Sequence, residues 1–267
     1  MNTQSLDASS YATDKAQSGD YLKRYERRFA SLCQSPIALL ELGVNEGGSL
    51  LMWRDYFREG QIAGLDVRPV ALDDGSGRVH VYQGAQQDLK LLNRIAREVA
   101  PQGFDIIIDD CAHLGELSRA SFRHLFARHL KPGGIYVLED WGTGFWPEWM
   151  DGIAFNHGAA QLARVEGAQW LRLLAPLSRV CNSAIARRNP LIKRVATTVK
   201  KRLARRQFHS HAYGMAGFVK ELVDECARDD IARGLGETET SLAGAYLGGA
   251  RIAEMTISNG QVFVVKA

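Results

Sequence analysis

The stretch Ile37-Ala38-Leu39-Leu40-Glu41-Leu42-Gly43-Val44-Asn45-Glu46-Gly47-Gly48-Ser49-Leu50-Leu51-Met52-Trp53-Arg54-Asp55-Tyr56-Phe57 changes its period partway along. Ile37 to Leu42 is a near-continuous apolar run, the pattern of a parallel strand buried on both faces. Gly43, Gly47 and Gly48 punctuate a loop, and Ser49 to Phe57 has helical spacing. Strand, glycine-rich turn and helix in that order predict one unit of a doubly wound sheet.

The same alternation extends outward. Gln61 to Pro69 reads as a second strand ending in Asp66, Arg78 to Gly84 as a third, Phe104 to Asp110 as a fourth and Ile135 to Asp140 as a fifth. Helices are expected at Leu89 to Ala100 and at Leu117 to Leu130, the latter closed by Lys-Pro-Gly-Gly. Upstream, Tyr21, Tyr25, Phe29 and Leu32 share helical spacing, as in a helix laid over the domain. Downstream, a helix is expected at Gly217 to Arg228, then strands near Arg251 to Ile257 and Gln261 to Lys266 joined by Ser-Asn-Gly. Asn-Gly between such runs signals a hairpin, so the last strand should run antiparallel. The expectation is an α/β fold: a mainly parallel, seven-stranded Rossmann-like sheet with an antiparallel last strand. Residues 1–35 would form a helical cap, 36–141 and 214–267 the core, and 142–213 a helical insertion or lid.

The 267 residues are 46% hydrophobic, enough to bury a large core. No apolar run approaches the roughly 20 residues needed to cross a bilayer, and the N-terminal residues lack a signal-peptide pattern. A cytoplasmic location is expected. Cys33, Cys111, Cys181 and Cys226 are too scattered for a zinc site or a disulfide scaffold. The net charge of +3 is unevenly spread: no acid occurs between Glu166 and Glu221, which enclose twelve Lys and Arg, leaving 21 basic against 30 acidic residues elsewhere. The basic character is local and does not support nucleic-acid binding.

The glycine turn lacks both the G-x-G-x-x-G fingerprint and a G-K-[ST] P-loop. Glu41, at the end of the first strand, would repel phosphate but suit a cationic amino-acid moiety. Asp66, at the end of the second, is placed to accept hydrogen bonds from ribose hydroxyls. Together they describe S-adenosylmethionine better than a dinucleotide. The plain alternative is a tight turn with two solvated carboxylates.

The fourth strand ends in Asp109-Asp110 and the fifth in Glu139-Asp140. By period-2 alternation Asp109 and Asp110 serve different partners, the first toward the cofactor and the second toward substrate. Carboxylates converging from neighbouring strand ends repel one another unless a cation lies among them, and hard oxygen donors favour Mg²⁺. His113, one helical turn beyond Asp110, is placed to take a proton from a metal-bound hydroxyl; otherwise it is a helix-start residue satisfied by Asp110.

The motifs YATDK, YLKRYERRF, LLELGVNEGGSLLMWRDYF, GQIAGLDV, YQGAQQD, DIIIDDCAH and LKPGGIYVLEDWGTGFWP together resemble the bacterial macrocin- and mycinamicin-type sugar O-methyltransferases, class I adenosylmethionine-dependent enzymes. The resemblance covers about residues 11 to 150. It implies Mg²⁺ on Asp110, Glu139 and Asp140, His113 as base, and cofactor contacts from Thr13, Glu41, Gly43, Ser49, Asp66, Gln86 and Asp109. Cys111-Ala112 stand where the family usually has Gly-Ser. Cys111 reads as an inert small residue or a reactive thiol.

Trp141, Phe145, Trp146 and Trp149 follow the acids, suited to stacking on a sugar or aglycone or to plugging the lid onto the sheet. Residues 187–206 form a basic amphipathic pattern, with Leu191, Ile192, Val195, Val199 and Leu203 on one face. Such a helix meets an anionic membrane or acidic substrate, or packs on its own domain or a sister subunit of a homo-oligomer. The reading is an adenosylmethionine- and Mg²⁺-dependent O-methyltransferase acting on a glycoside or glycan. A catechol-like diol acceptor and a non-catalytic scaffold are the alternatives.

Overall fold

The structure, a computed structural model, describes residues 5–16, 20–72, 74–146, 148–152, 189–192, 194–195, 198, 214–228 and 247–267. Most of the expected insertion at 142–213 and of the basic segment at 187–206 lies outside the described residues. Leu191, Ile192 and Val195, which are described, are exposed.

The chain divides into two compact units. The first comprises Met1–His113, Leu117–Asp140 and Val223–Ala267, the second Leu114–Glu116 and Trp141–Leu222. The first holds a seven-stranded sheet: β1 (Ala38–Leu42), β2 (Gln61–Asp66), β3 (Val79–Gln83), β4 (Phe104–Asp109), β5 (Leu130–Glu139), β6 (Ile252–Ile257) and β7 (Gln261–Lys266), in the spatial order β3-β2-β1-β4-β5-β7-β6. β1 to β5 pair in parallel, and β7 runs antiparallel to both of its neighbours. This is the Rossmann-like fold the sequence predicts. Gly260, at φ 77°, turns the closing hairpin, and a Cβ there would overlap the Tyr21 ring.

β1 lies between β2 and β4 and is buried at all five positions, which is why its sequence does not alternate. One sheet face is covered by α1 (Tyr21–Phe29) and α2 (Gly48–Tyr56). Tyr25, Phe29, Trp53 and Phe57 pack there with Leu39, Ile106, Ile108, Val137 and Phe263. The Tyr25 ring lies 5.1 Å from Trp53 and 5.7 Å from Phe263. Period-2 alternation turns Tyr136 the other way, edge-on to Phe122 of α4 (Gly115–Arg128) at 4.7 Å. α3 (Leu89–Val99) is capped by the Asp88 carboxylate, which accepts from the amides of Lys90 and Leu91.

Three element starts differ from the sequence reading. Lys131 to Gly134 fall within β5: Leu130 already pairs with Phe104, and regular pairing resumes at Ile135 after an irregularity that includes Gly133 at φ 75°. α4 and α5 (Gly214–Cys226) start two and three residues earlier than expected. Within the second unit, one buried carboxylate oxygen of Asp151 accepts from the amides of both Gly115 (2.7 Å) and Met215 (2.9 Å). A cap from outside either helix fixes where each begins, and local spacing does not reveal it.

Candidate active site

A cavity of about 460 Å³ opens at the carboxyl ends of the strands, where ligands bind in doubly wound sheets. Its wall includes Thr13 and Lys15 from the N-terminal segment, Gly43 and Ser49 from the turn after β1, Asp66 from β2, Gln86, and Asp110, His113 and Asp140 from beyond β4 and β5. All belong to the first unit. Its volume is in the range of small-molecule sites, about 300–1,000 Å³.

The backbone is bent to build this wall. Asn45 (φ 49°), His113 (φ 48°) and Asp140 (φ 51°) are the non-glycine residues with positive φ among those described, and all three line the cavity. Such strain persists where surrounding structure enforces it, commonly at functional sites. Asp66 locks the glycine turn: one oxygen accepts from the amides of Val44 and Asn45 (3.1 and 3.0 Å), the other from Arg68 (2.9 Å).

The other acids divide into two sets. Asp110, His113 and Asp140 present one donor atom each within 4.8 Å of one another. His113 Nε2 lies 3.8 Å from Asp110 Oδ1 and 3.9 Å from Asp140 Oδ2. Ligands about 2.1 Å from an Mg²⁺ ion can be at most roughly 4.2 Å apart, and the distances from His113 Nε2 to both carboxylates fall within that limit. The carboxylates of Asp110 and Asp140 are hard oxygen donors that fit Mg²⁺, and His113 Nε2 lies beside both.

Glu41 and Glu139 form the second set, beneath the cavity and outside its lining. Their partner is Lys15, 2% exposed, whose Nζ lies 2.6 Å from Asp110 Oδ2, 2.8 Å from Glu139 Oε2 and 3.3 Å from Glu41 Oε1. Glu41 also accepts from Ser49 Oγ at 2.6 Å, and Glu139 from the Tyr25 hydroxyl. Tyr21, one turn earlier on α1, donates to Asp140 Oδ1 at 2.6 Å. Burial opposes the charge on Lys15, but Asp110, Glu139 and Glu41 outweigh it and hold its pKa well above the ordinary value. Burial raises Asp110 to about 6 despite Lys15. Burial, then repulsion from Asp110, raises Glu139 to about 8.

Asp109 is buried away from the cavity and braces Gln86, whose Nε2 donates to it at 3.2 Å while its Oε1 accepts from the Ala112 amide. Cys111 lines the cavity, its thiol pushed up to about 12 by burial and then by Asp109, Asp66 and Asp110. Trp141 and Phe145 stack edge-on within the second unit at 5.9 Å, and Trp146 there is exposed.

The sequence reading brings together Thr13, Gly43, Ser49, Asp66, Gln86, Asp110, His113 and Asp140 on one cavity wall, whereas Glu41, Asp109 and Glu139 sit behind it. It missed Lys15, Tyr21 and Tyr25 as polar partners of the site. A surplus of buried strand-end acids was the signal for an internal cation, and the tyrosines looked like apolar face residues because the spacing of α1 is the same either way.

No protein-family model matches the chain. Over 161 residues it is 40% identical to the 8-demethyl-8-(2-methoxy-alpha-L-rhamnosyl)-tetracenomycin-C 3'-O-methyltransferase of Streptomyces olivaceus, covering 57% of this chain and 38% of that protein. Over 134 residues it is 41% identical to the mycinamicin VI 2''-O-methyltransferase of Micromonospora griseorubida, covering 48% of this chain and 33% of that one. The chain thus spans well under half the length of these curated relatives. Among solved structures, the MycE methyltransferase from the mycinamycin biosynthetic pathway, in complex with Mg and SAH, superposes with a TM-score of 0.56 at 26% identity, covering 92% of this chain and 49% of that one. Over the part they share, this chain is similar in sequence to these O-methyltransferases and in fold to the MycE methyltransferase.

Proposed function

We propose that the chain is an adenosylmethionine- and Mg²⁺-dependent O-methyltransferase that methylates a sugar hydroxyl of a glycosylated natural product or glycan. The observation that carries this reading is the meeting of Asp110, His113 and Asp140 in one cavity with the glycine turn and Asp66. Among the similar proteins named above, the one from Streptomyces olivaceus is by its own name a methyltransferase of a rhamnosyl-tetracenomycin, which supports the acceptor class.

Each residue has a defined task in this reading. Gly43 and Ser49 line the place of the amino-acid and sulfonium end of the cofactor, Asp66 faces its ribose, and Thr13 and Gln86 border its nucleoside. Asp110 and Asp140 hold the metal, with Glu139 behind them. Bound there, Mg²⁺ would acidify an acceptor hydroxyl, and adenosylmethionine would supply the electrophilic methyl group. His113 Nε2 takes the hydroxyl proton as the oxygen becomes the nucleophile. Holding both reactants in one cavity supplies several kcal/mol of the barrier through orientation. The assignment of Trp141, Phe145 and Trp146 to acceptor binding rests on the sequence reading alone. A cytoplasmic location and a homo-oligomeric assembly are further parts of this proposal and rest on the sequence reading, as does a membrane or acidic-substrate contact through residues 187–206.

The test is a methyl-transfer assay on a panel of glycosides, free sugars and catechols, with and without Mg²⁺. We expect glycoside turnover that a chelator abolishes, and a His113→Ala loss of about 10²–10⁴-fold in kcat with Mn²⁺ affinity unchanged. Metal-independent turnover, full activity of His113→Ala, or methylation of catechols alone would each overturn the reading. Loss of Mn²⁺ binding in His113→Ala would instead make His113 a metal ligand.

A further inference from the structure

We propose that Lys15 is the internal counter-ion of the metal site: its fixed charge holds the acids together without an ion and weakens the ion's hold when one binds. The inference rests on the metal assignment above and goes beyond it.

Lys15 is buried, and its ammonium reaches three carboxylates arriving from three different strand ends, Glu41, Asp110 and Glu139. The partition of oxygens is informative. Glu41 and Glu139 have their second oxygens against Ser49 and Tyr25, and neither residue lines the cavity. Asp110 alone faces both ways: Oδ2 to Lys15, Oδ1 toward His113 and the cavity. The lysine thus occupies a cation position on the opposite oxygen of Asp110 from His113, beside the group Asp110, His113 and Asp140.

Two consequences follow from Coulomb's law. With no metal, the ammonium offsets repulsion among the Glu41, Asp110 and Glu139 carboxyl groups that would otherwise splay the strand ends. With a divalent ion on the far oxygen of Asp110, that ammonium becomes a nearby like charge in a water-poor site, and it lowers the ion's affinity. A residue that merely shaped Asp110 by hydrogen bonding would have the opposite effect on removal, since losing the shape would loosen the ion.

Charge and hydrogen bonding are separated by Lys15→Gln, which keeps an N–H donor on a side chain one atom shorter but not the charge, and Lys15→Arg, which keeps the charge. Mn²⁺ affinity of the full chain is read by electron paramagnetic resonance, and melting is followed by circular dichroism with and without Mn²⁺. We expect Lys15→Gln to bind Mn²⁺ at least tenfold more tightly than the unmodified protein, to melt lower without the ion, and to gain more from adding it. Lys15→Arg should stay within about threefold of the unmodified protein. If Lys15→Gln folds only with Mn²⁺ present, that dependence also supports the proposal. Unchanged or weaker Mn²⁺ binding by folded Lys15→Gln would overturn it. Failure of the unmodified protein to bind Mn²⁺ would overturn the metal assignment itself, and is read separately.

Discussion

Gly43→Ala is the sharpest probe of how the cavity wall is built. Gly43 has φ 83°, and a Cβ there would overlap the backbone carbonyl of Asp110 and crowd the Cys111 Cα. Neither obstacle is a side chain that can rotate away, because Asp110 donates its amide to the Leu42 carbonyl at 2.9 Å and thereby ties the ends of β1 and β4 together. The left-handed backbone costs an alanine about 1–2 kcal/mol. Forced displacement of packed backbone adds about 1–3 kcal/mol. The sum, roughly 2–5 kcal/mol, corresponds to a melting shift of about 5–15 °C for a protein of this size. Gly75→Ala is the matched control, for Gly75 is also left-handed at φ 63° but meets nothing within 4 Å of its built Cβ. It should lose only the backbone contribution. Because the clash pushes on Asp110 itself, Gly43→Ala should also weaken Mn²⁺ binding, whereas Gly75→Ala should not. Thermal melts and Mn²⁺ titrations of the two variants side by side decide the matter. Equal destabilisation by both would refute the close approach of β1 and β4 as the reason for glycine at position 43.

Asp110, raised to about 6 by burial, must be deprotonated to hold a metal, so protons compete below that pH and cease to above it. Mn²⁺ affinity should fall by roughly tenfold between pH 7 and pH 5, and a flat profile would remove Asp110 from the ligand set. The Cys111 thiol, pushed up to about 12, should react with a disulfide reagent at pH 8 about 10³-fold more slowly than an ordinary thiol, and modification at the ordinary rate would show the site to be more open than described. Asp151→Ala uncaps two helices at once and should cost roughly 1–2 kcal/mol for each end in urea unfolding; a loss below 0.5 kcal/mol in total, taken as about the noise of such measurements, would contradict its shared role.

The sheet was legible because strand burial writes itself into composition. Ile37 to Leu42, Glu41 apart, had to be apolar to sit between two strands and two helical layers, and the acids that end β1, β2, β4 and β5 had to lie at one edge once the strands ran parallel. With the Asn-Gly hairpin signal, this predicts a seven-stranded sheet with an antiparallel last strand and a site at the carboxyl edge, where the structure has Asp66, Asp110, His113 and Asp140 line the cavity.

What each acid touches was decided only by tertiary structure. Adjacent residues on a strand face opposite ways, but sequence does not say what waits on either side. Asp109 meets Gln86, Glu139 meets Tyr25 and Lys15, and the starts of α4 and α5 depend on Asp151, distant in sequence from both. Lys15 is the clearest case. It precedes its three carboxylates by 26, 95 and 124 positions, and no local pattern marks a lysine that will be buried among them. Periodicity reports which face of an element is apolar; the pairing of buried charges is set by where separate elements meet, and that is a property of the fold alone.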